Sequence, residues 1–255
     1  MDRLDNIDYC IRYLKGADEV ELPPTLKLKE KQQVLRALMN VWEPRPLSDA
    51  FLKAQDAELQ AQLADKGVVS PDEEKACQEG DAPSPFSLWK GDITRLKVDA
   101  IVNAANSRGL GCWHPLHSCI DNAIHSAAGL QLRQECNSIL QGAELSTGKA
   151  IITSGYNLPC RYVIHTVGPI VPDGVPTAVQ ERELAECYRS SLHLAAERGC
   201  HTIAFCCIST GEFHFPNRRA AEIAVATCRN SPVHVIFNVF KDIDYAIYSE
   251  LVRTY

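Results

Sequence analysis

The sequence predicts an α/β protein built as three layers, α/β/α, behind a helical N-terminal extension. Three observations carry that reading: apolar residues spaced three to four apart over the first 70 positions, six short β-rich runs after position 85, and helical patterns between those runs. Apolar strands that alternate with amphipathic helices form a sheet buried on both faces, which takes ligands at loops beyond the strand carboxyl ends.

Residues 1–70 form the extension. Leu4, Ile7, Ile11 and Leu14 repeat at helical spacing, as do Leu35, Leu38, Met39 and Trp42. Ser48 is the expected N-cap of a third helix presenting Phe51, Leu52, Leu59 and Leu63. Residues 71–85, PDEEKACQEGDAPSP, have the polar, Pro- and Gly-containing composition of a connector. Residues 86–255 make the second domain, with strands expected in FSLWKGDI, DAIVNAAN, KAIITSGYN, RYVIHTVGP, HTIAFCCIS and VHVIFNVF. Helices are expected near 119–140, 178–198, 217–229 and 242–253.

With 255 residues, 45% hydrophobic and 23% charged, the chain holds one sizeable domain and an appendage. A formal charge of -6 gives no basic field for a nucleic-acid backbone, so any nucleotide recognised is small. The start, MDRLDNIDYC, is acidic where a secretory signal is basic and then apolar, and no run reaches membrane-spanning length. A cytoplasmic protein is expected. Of the 11 cysteines, Cys206 and Cys207 sit in an apolar run, and Cys10, Cys187 and Cys228 lie in helical patterns. An odd count without regular spacing fits free or metal-bound thiols in a reducing compartment.

The segment NAANSRGLGCWHPLHSCIDNAIHSAAG, from Asn103 to Gly129, concentrates metal-binding residue types beside a polar turn. Cys112, His117 and Cys119 supply three ligands, and a three-ligand zinc keeps its fourth position for water or substrate. His114 competes with His117, and the absence of a fourth ligand leaves a metal-free reading, with both thiols in the core, beside it. Asp121 is placed either as a base or ribose ligand, or as an acidic residue stabilising a helix N-terminus. His125 is expected to pack or hydrogen-bond rather than ligate.

Three further stretches follow strands. In Gly91-Asp92-Ile93, Gly permits a tight turn and Asp accepts hydrogen bonds. In Asn103 to Ser107, small alanines let a ligand approach the backbone, and the Asn106 carboxamide suits vicinal hydroxyls or a simple turn. In Ser209-Thr210-Gly211-Glu212-Phe213, backbone amides can curl around an anion, and no P-loop spacing is present. Arg218 and Arg219 open an amphipathic helix and are read as solvated. Phe240 is placed either on an adenine or in the core, and His165 and His234 are structural.

WKGDITRLKVDAIVNAANS, followed by the IDNAIH helix and STGEFHFP, resembles the macro domain family, and CWHPLHSC resembles its zinc-dependent branch of protein ADP-ribosyl hydrolases, associated with sirtuin-like ADP-ribosyltransferases. The resemblance covers about 85–255 and reaches into the helical extension. It implies a macro domain with a mixed central sheet and one Zn2+ ion per chain on Cys112, His117 and Cys119, which selects His117 over His114. It further implies that Asp92 and the Ile93 backbone hold adenine, that Ser209, Thr210, Gly211, Glu212 and Phe213 take the diphosphate, and that Asn106 and Asp121 position the distal ribose. Glu212 is unexpected beside phosphates and is expected to turn toward the modified amino acid or the metal-bound water. Two thiolates and an imidazole bring the ion's charge near zero, so its water is less acidified and a base such as Asp121 helps. The implied activity is removal of mono-ADP-ribose from a protein side chain, Glu- or Asp-linked, with a lipoyl carrier protein as the implied partner. The alternative is a non-catalytic ADP-ribose reader with a structural zinc.

Overall fold

The computed structural model describes residues 2–16, 23, 25–70 and 86–253; the expected connector, 71–85, lies outside the described residues. All six β-rich runs form strands: β1 (Phe86–Lys90), β2 (Ala100–Ala104), β3 (Ala150–Ser154), β4 (Tyr162–Thr166), β5 (Thr202–Phe205) and β6 (His234–Val239). They make one sheet in the order β1-β6-β5-β2-β4-β3. Four pairings are parallel, and β3 runs antiparallel to β4, so the sheet is mixed. Ile101, Val163, Ile164, Ile203, Val235 and Phe237 are essentially inaccessible to water. Each such side chain contributes about 1.5–3 kcal/mol over leaving it exposed.

Helices cover both sides of this sheet. One side carries α4 (Ile120–Ala128) and α5 (Leu130–Leu140). The other carries α6 (Ala178–Glu197), α7 (Asn217–Cys228) and α8 (Asp242–Arg253), packed side by side. The region expected as one helix over 119–140 is two. Gly129 breaks it with φ at +99°, and a Cβ there would meet the side chains of Gln131, Gln55 and Asn157 at 2.7, 2.7 and 3.2 Å. Only Gly accepts that backbone angle in so little space.

Among its described residues the extension forms three helices, α1 (Arg3–Lys15), α2 (Leu28–Asn40) and α3 (Asp49–Lys66). Asp2 and Asp5 form a capping box on α1, and the Ser48 hydroxyl caps α3 by accepting from the Phe51 amide. Their stripes meet in a second core of Ile7, Ile11, Leu35, Met39, Trp42, Phe51 and Leu59, closed by Leu130 of α5. Leu4, expected on that stripe, is exposed instead. Arg133 of α5 donates to the Met39 and Asn40 carbonyls at the end of α2 and to the Trp42 carbonyl just beyond it. Among the described residues, no helix is long and apolar enough to cross a membrane, and every cysteine is a free thiol.

Candidate functional site

Strand β2 ends in Asn103 and Ala104, and the chain then runs through Asn106 and residues 111–119 into α4. Because side chains alternate along a strand, Asn103 faces α4 and α5. It lies in register with His165 of β4. The Asn103 amide donates to Asp121 Oδ1 at 2.7 Å and to His165 Nδ1 at 3.1 Å. The other His165 nitrogen, Nε2, lies 2.9 Å from the Thr153 hydroxyl. Since an amide NH2 only donates, His165 Nδ1 accepts and Nε2 carries the proton. Burial pushes the His165 pKa down to about 3, keeping the ring neutral.

Asp121, at the second position of α4, is almost wholly buried. Its Oδ2 accepts from the Asn106 amide at 3.2 Å. Burial pushes its carboxyl up to about 6, against the Asn103 bond, the Arg133 charge and the Asn106 bond, which hold it down. Asn106 also donates to the Gly111 carbonyl at 3.1 Å, and its Oδ1 accepts from the Arg108 amide at 3.0 Å. The Asn106 carboxamide thus organises the loop as well as facing the site. Gly111 passes close over His125, where a Cβ would come within 2.8 Å of the ring. His125 Nε2 lies 3.5 Å from Asp121 Oδ1, and burial, His165 and Arg133 all keep the ring neutral.

Cys112, His117 and Cys119 bring their ligand atoms within 4.8 Å of one another. His114 is not in that cluster; it is exposed, and its carbonyl accepts from Asn122. Cys119 is the N-cap of α4, its sulfur facing the Asn122 amide at 3.4 Å. Cys112 Sγ lies 3.6 Å from His117 Nδ1. A tetrahedral zinc with bonds of about 2.3 Å to sulfur and 2.0–2.1 Å to nitrogen sets those two ligands about 3.6 Å apart. The donor set fits zinc in its chemistry, and the Cys112–His117 pair fits it in spacing. His125, Cys136 and His165 form a second, fully buried cluster. There His165 Nε2 is taken up by Thr153 and lies 3.6 Å from Cys136 Sγ.

The other expected regions lie at neighbouring strand ends. Asp92 caps a short 3-10 turn (Ile93–Arg95), accepting from the Thr94 amide at 3.0 Å and hydroxyl at 2.6 Å. Burial pushes the Asp92 carboxyl up, but Thr94 and Lys66 outweigh it and leave the pKa below its ordinary value. The Ile93 side chain is buried in the core, so only its backbone can face a ligand. Gly91 is required for space rather than for a left-handed turn, since a Cβ there would lie 2.5 Å from the Trp89 ring. After β5, Ser209 adopts φ +65°, and the loop closes with Phe215 N donating to Ser209 O and Val171 N donating to Phe213 O. The Thr210 hydroxyl donates to the Cys207 carbonyl, and Gly211 and Glu212 are exposed. Glu212 turns toward the cluster of Cys112, His117 and Cys119, with Oε1 at 3.9 Å from His117 Nε2.

The middle of the chain, residues 102–224, matches the model of the Macro domain family. A protein from Treponema medium named protein-ADP-ribose hydrolase is 47% identical over 258 residues, covering 98% of this chain and 97% of that one. This chain belongs to the macro domain family. A Trypanosoma brucei macrodomain solved in complex with ADP-ribose aligns over 91% of this chain and 97% of its own, with TM-score 0.64 and 30% identity. A Fusarium oxysporum protein named as a probable bifunctional ADP-ribose hydrolase/ADP-ribosyltransferase is 39% identical, covering 89% of this chain and 42% of the longer one.

Several residues around this macro domain's cleft gave no sequence signal. Lys66 of α3 reaches Asp92 Oδ2 at 3.1 Å. Arg36 and Asn40 of α2 bind the loop that carries Cys112, His117 and Cys119, and Asn122 lies beneath it. The partners of Lys66, Arg36 and Asn40 are tens of residues away, and no local periodicity marks them. Phe240 is 76% exposed, which rules out the core role expected as one option. Arg218 pairs with Glu250, and Arg219 with Glu181 and Glu222, as expected for solvated residues outside a site. His234 meets the Ser87 hydroxyl and is structural.

Proposed function

We propose that this protein is a zinc-dependent hydrolase that removes mono-ADP-ribose from modified protein side chains, most directly those linked through Glu or Asp. The observation that carries the reading is the placement of Cys112, His117 and Cys119 at the entry to α4, whose second residue is Asp121. A nucleotide reader needs the groove alone; a three-ligand metal set beside a buried, pKa-raised carboxylate is the equipment of a reaction centre.

On this reading Asp92 accepts from the adenine amine, with the Ile93 backbone and Phe240 flanking the base. The Ser209 to Phe213 amides surround the diphosphate. Asn106 and Asp121 hold the distal ribose hydroxyls, and Asp121 Oδ2 is positioned to take a proton from an attacking water. Zinc, when bound, supplies a Lewis acid beside the scissile bond. Glu212, at 3.9 Å from His117 Nε2, serves as the carboxylate that orients a ligating imidazole. The overall balance is hydrolytic: water adds, the bond between ribose and carboxylate breaks, and free ADP-ribose and the carboxylic acid leave.

The proposed partner is a mono-ADP-ribosylated protein in the cytoplasm. A lipoyl carrier protein modified by a sirtuin-like ADP-ribosyltransferase is the candidate supplied by resemblance, and the Fusarium relative, whose name joins hydrolase and transferase, supports pairing with such an enzyme. The test couples metal analysis to ADP-ribose release from defined Glu-, Asp-, Ser- and Arg-linked substrates. Zinc-loaded protein that binds ADP-ribose yet releases none from any substrate would establish the reader instead. Oxygen-labelled water then locates the attack: label in the released carboxylate rules out exclusive attack at the anomeric carbon.

A further inference from the structure

The metal loop is held by the N-terminal helices. Arg36 of α2 donates from Nη2 to the His117 carbonyl at 3.1 Å, and from Nη2 and Nε to Asn122 Oδ1 at 2.7 and 3.1 Å. Asn122, fully buried, passes the restraint on: its side-chain amide donates to the His114 carbonyl at 3.0 Å, and its backbone amide faces Cys119 Sγ. One turn along α2, buried Asn40 accepts from the Leu116 amide at 3.0 Å. Leu116 has φ +58°, a left-handed conformation that is strained for a residue other than Gly. Such a conformation persists only where the surroundings over-determine it. Residues 114, 116 and 117, all between the first and last ligands, are thereby tied to α2 directly or through Asn122.

We propose that the N-terminal helices act as the template of the metal centre. Arg36, through Asn122 and the His117 carbonyl, and Asn40, through the Leu116 amide, are positioning residues that hold Cys112, His117 and Cys119 in ligating geometry before an ion arrives. The inference rests on the zinc reading given above, and it gives the extension a role in the chemistry of the macro domain. Preorganisation of this kind raises affinity by removing the ordering cost that a flexible ligand loop meets on binding. Arg is required rather than Lys, because a planar fork reaches two acceptors at once and an ammonium does not hold both in fixed geometry.

The test compares wild type, Arg36→Met and Arg36→Lys in the full chain by three measurements: zinc affinity in competition with a chromophoric chelator, ADP-ribose affinity of the metal-free protein, and amide hydrogen exchange of metal-free protein. Arg36→Met is expected to weaken zinc binding about 10–100-fold, the usual size of an outer-shell loss, and Arg36→Lys by less. ADP-ribose affinity is expected to stay within about twofold, and exchange to accelerate in residues 112–119 while β2 and β5 keep their protection. Zinc affinity within twofold of wild type in Arg36→Met would overturn the proposal. So would exchange that rises equally across the sheet, which marks a general packing role. If Arg36→Met does not fold, Arg36→Lys carries the same comparison. Wild type that binds no zinc would sink the metal reading separately, and the exchange of residues 112–119 would then decide the template alone.

Discussion

The Asn103 amide donates to Asp121 Oδ1 across 2.7 Å, joining the end of the central strand to the first turn of the helix that follows the Cys112–Cys119 loop. Asn103 is fully buried and Asp121 almost so, and a charge-assisted bond in such surroundings loses most when one partner is removed. The relationship fixes where the carboxylate stands relative to Cys119, two residues before it.

Metal removal is expected to separate chemistry from recognition. Chelation, or Cys119→Ala, should abolish ADP-ribose release while leaving affinity for free ADP-ribose within a few-fold. A calorimetric titration of metal-free protein alongside a turnover assay checks this. A melting curve that collapses on chelation, with binding lost as well, would instead mark zinc as a structural clip.

Asp92→Asn should weaken ADP-ribose binding by about tenfold or more. On the proposed function the substitution puts a donor where the adenine amine would also donate, and hydrogen bonds to a charged group contribute about 1.5–3 kcal/mol. Zinc affinity should be unaffected. Phe240→Ala is expected to cost a smaller factor and to leave the melting temperature unchanged, because the ring is 76% exposed. Equal affinity in wild type and both variants would displace adenine from this end of the cleft.

Acid should destabilise the fold through His165. Its pKa is pushed down to about 3 in the folded chain, against about 6.5 when unfolded. The unfolded state therefore binds the extra proton between those values, so stability is full above pH 6.5 and is lost as pH falls toward 3. Each such proton corresponds to about 1.4 kcal/mol per pH unit. Denaturant unfolding of wild type and His165→Gln across pH 4 to 7 should give a shallower pH dependence in the variant; identical slopes would remove His165 from the account.

Gly129→Ala should lower stability by about 1–3 kcal/mol. The new methyl enters a left-handed position and meets Gln131 and Gln55 at 2.7 Å. The effect belongs to the join between α3 and the macro domain, since Gln55 also accepts from the Leu130 amide. Thermal melting reads it directly.

What the sequence determined by itself is everything that depends on near neighbours in the chain. The six strands follow from runs such as AIVNA and VIFNV, the helix starts from caps such as Ser48, and the candidate ligand cluster from two cysteines and two histidines within eight positions, because each signal is carried by residues a few bonds apart. Local spacing could not choose between His114 and His117, nor detect the break at Gly129, since both depend on what lies across the space around them. The tertiary structure decided those points: His114 points to solvent while His117 Nδ1 comes within 3.6 Å of Cys112 Sγ, and Asp121 is buried with its partners Asn103 and Asn106. It also decided where the extension docks, because Arg36 meets Asn122 from 86 positions away. A hydrogen bond between groups that far apart exists only after the chain has closed around both of them, and no local pattern encodes it.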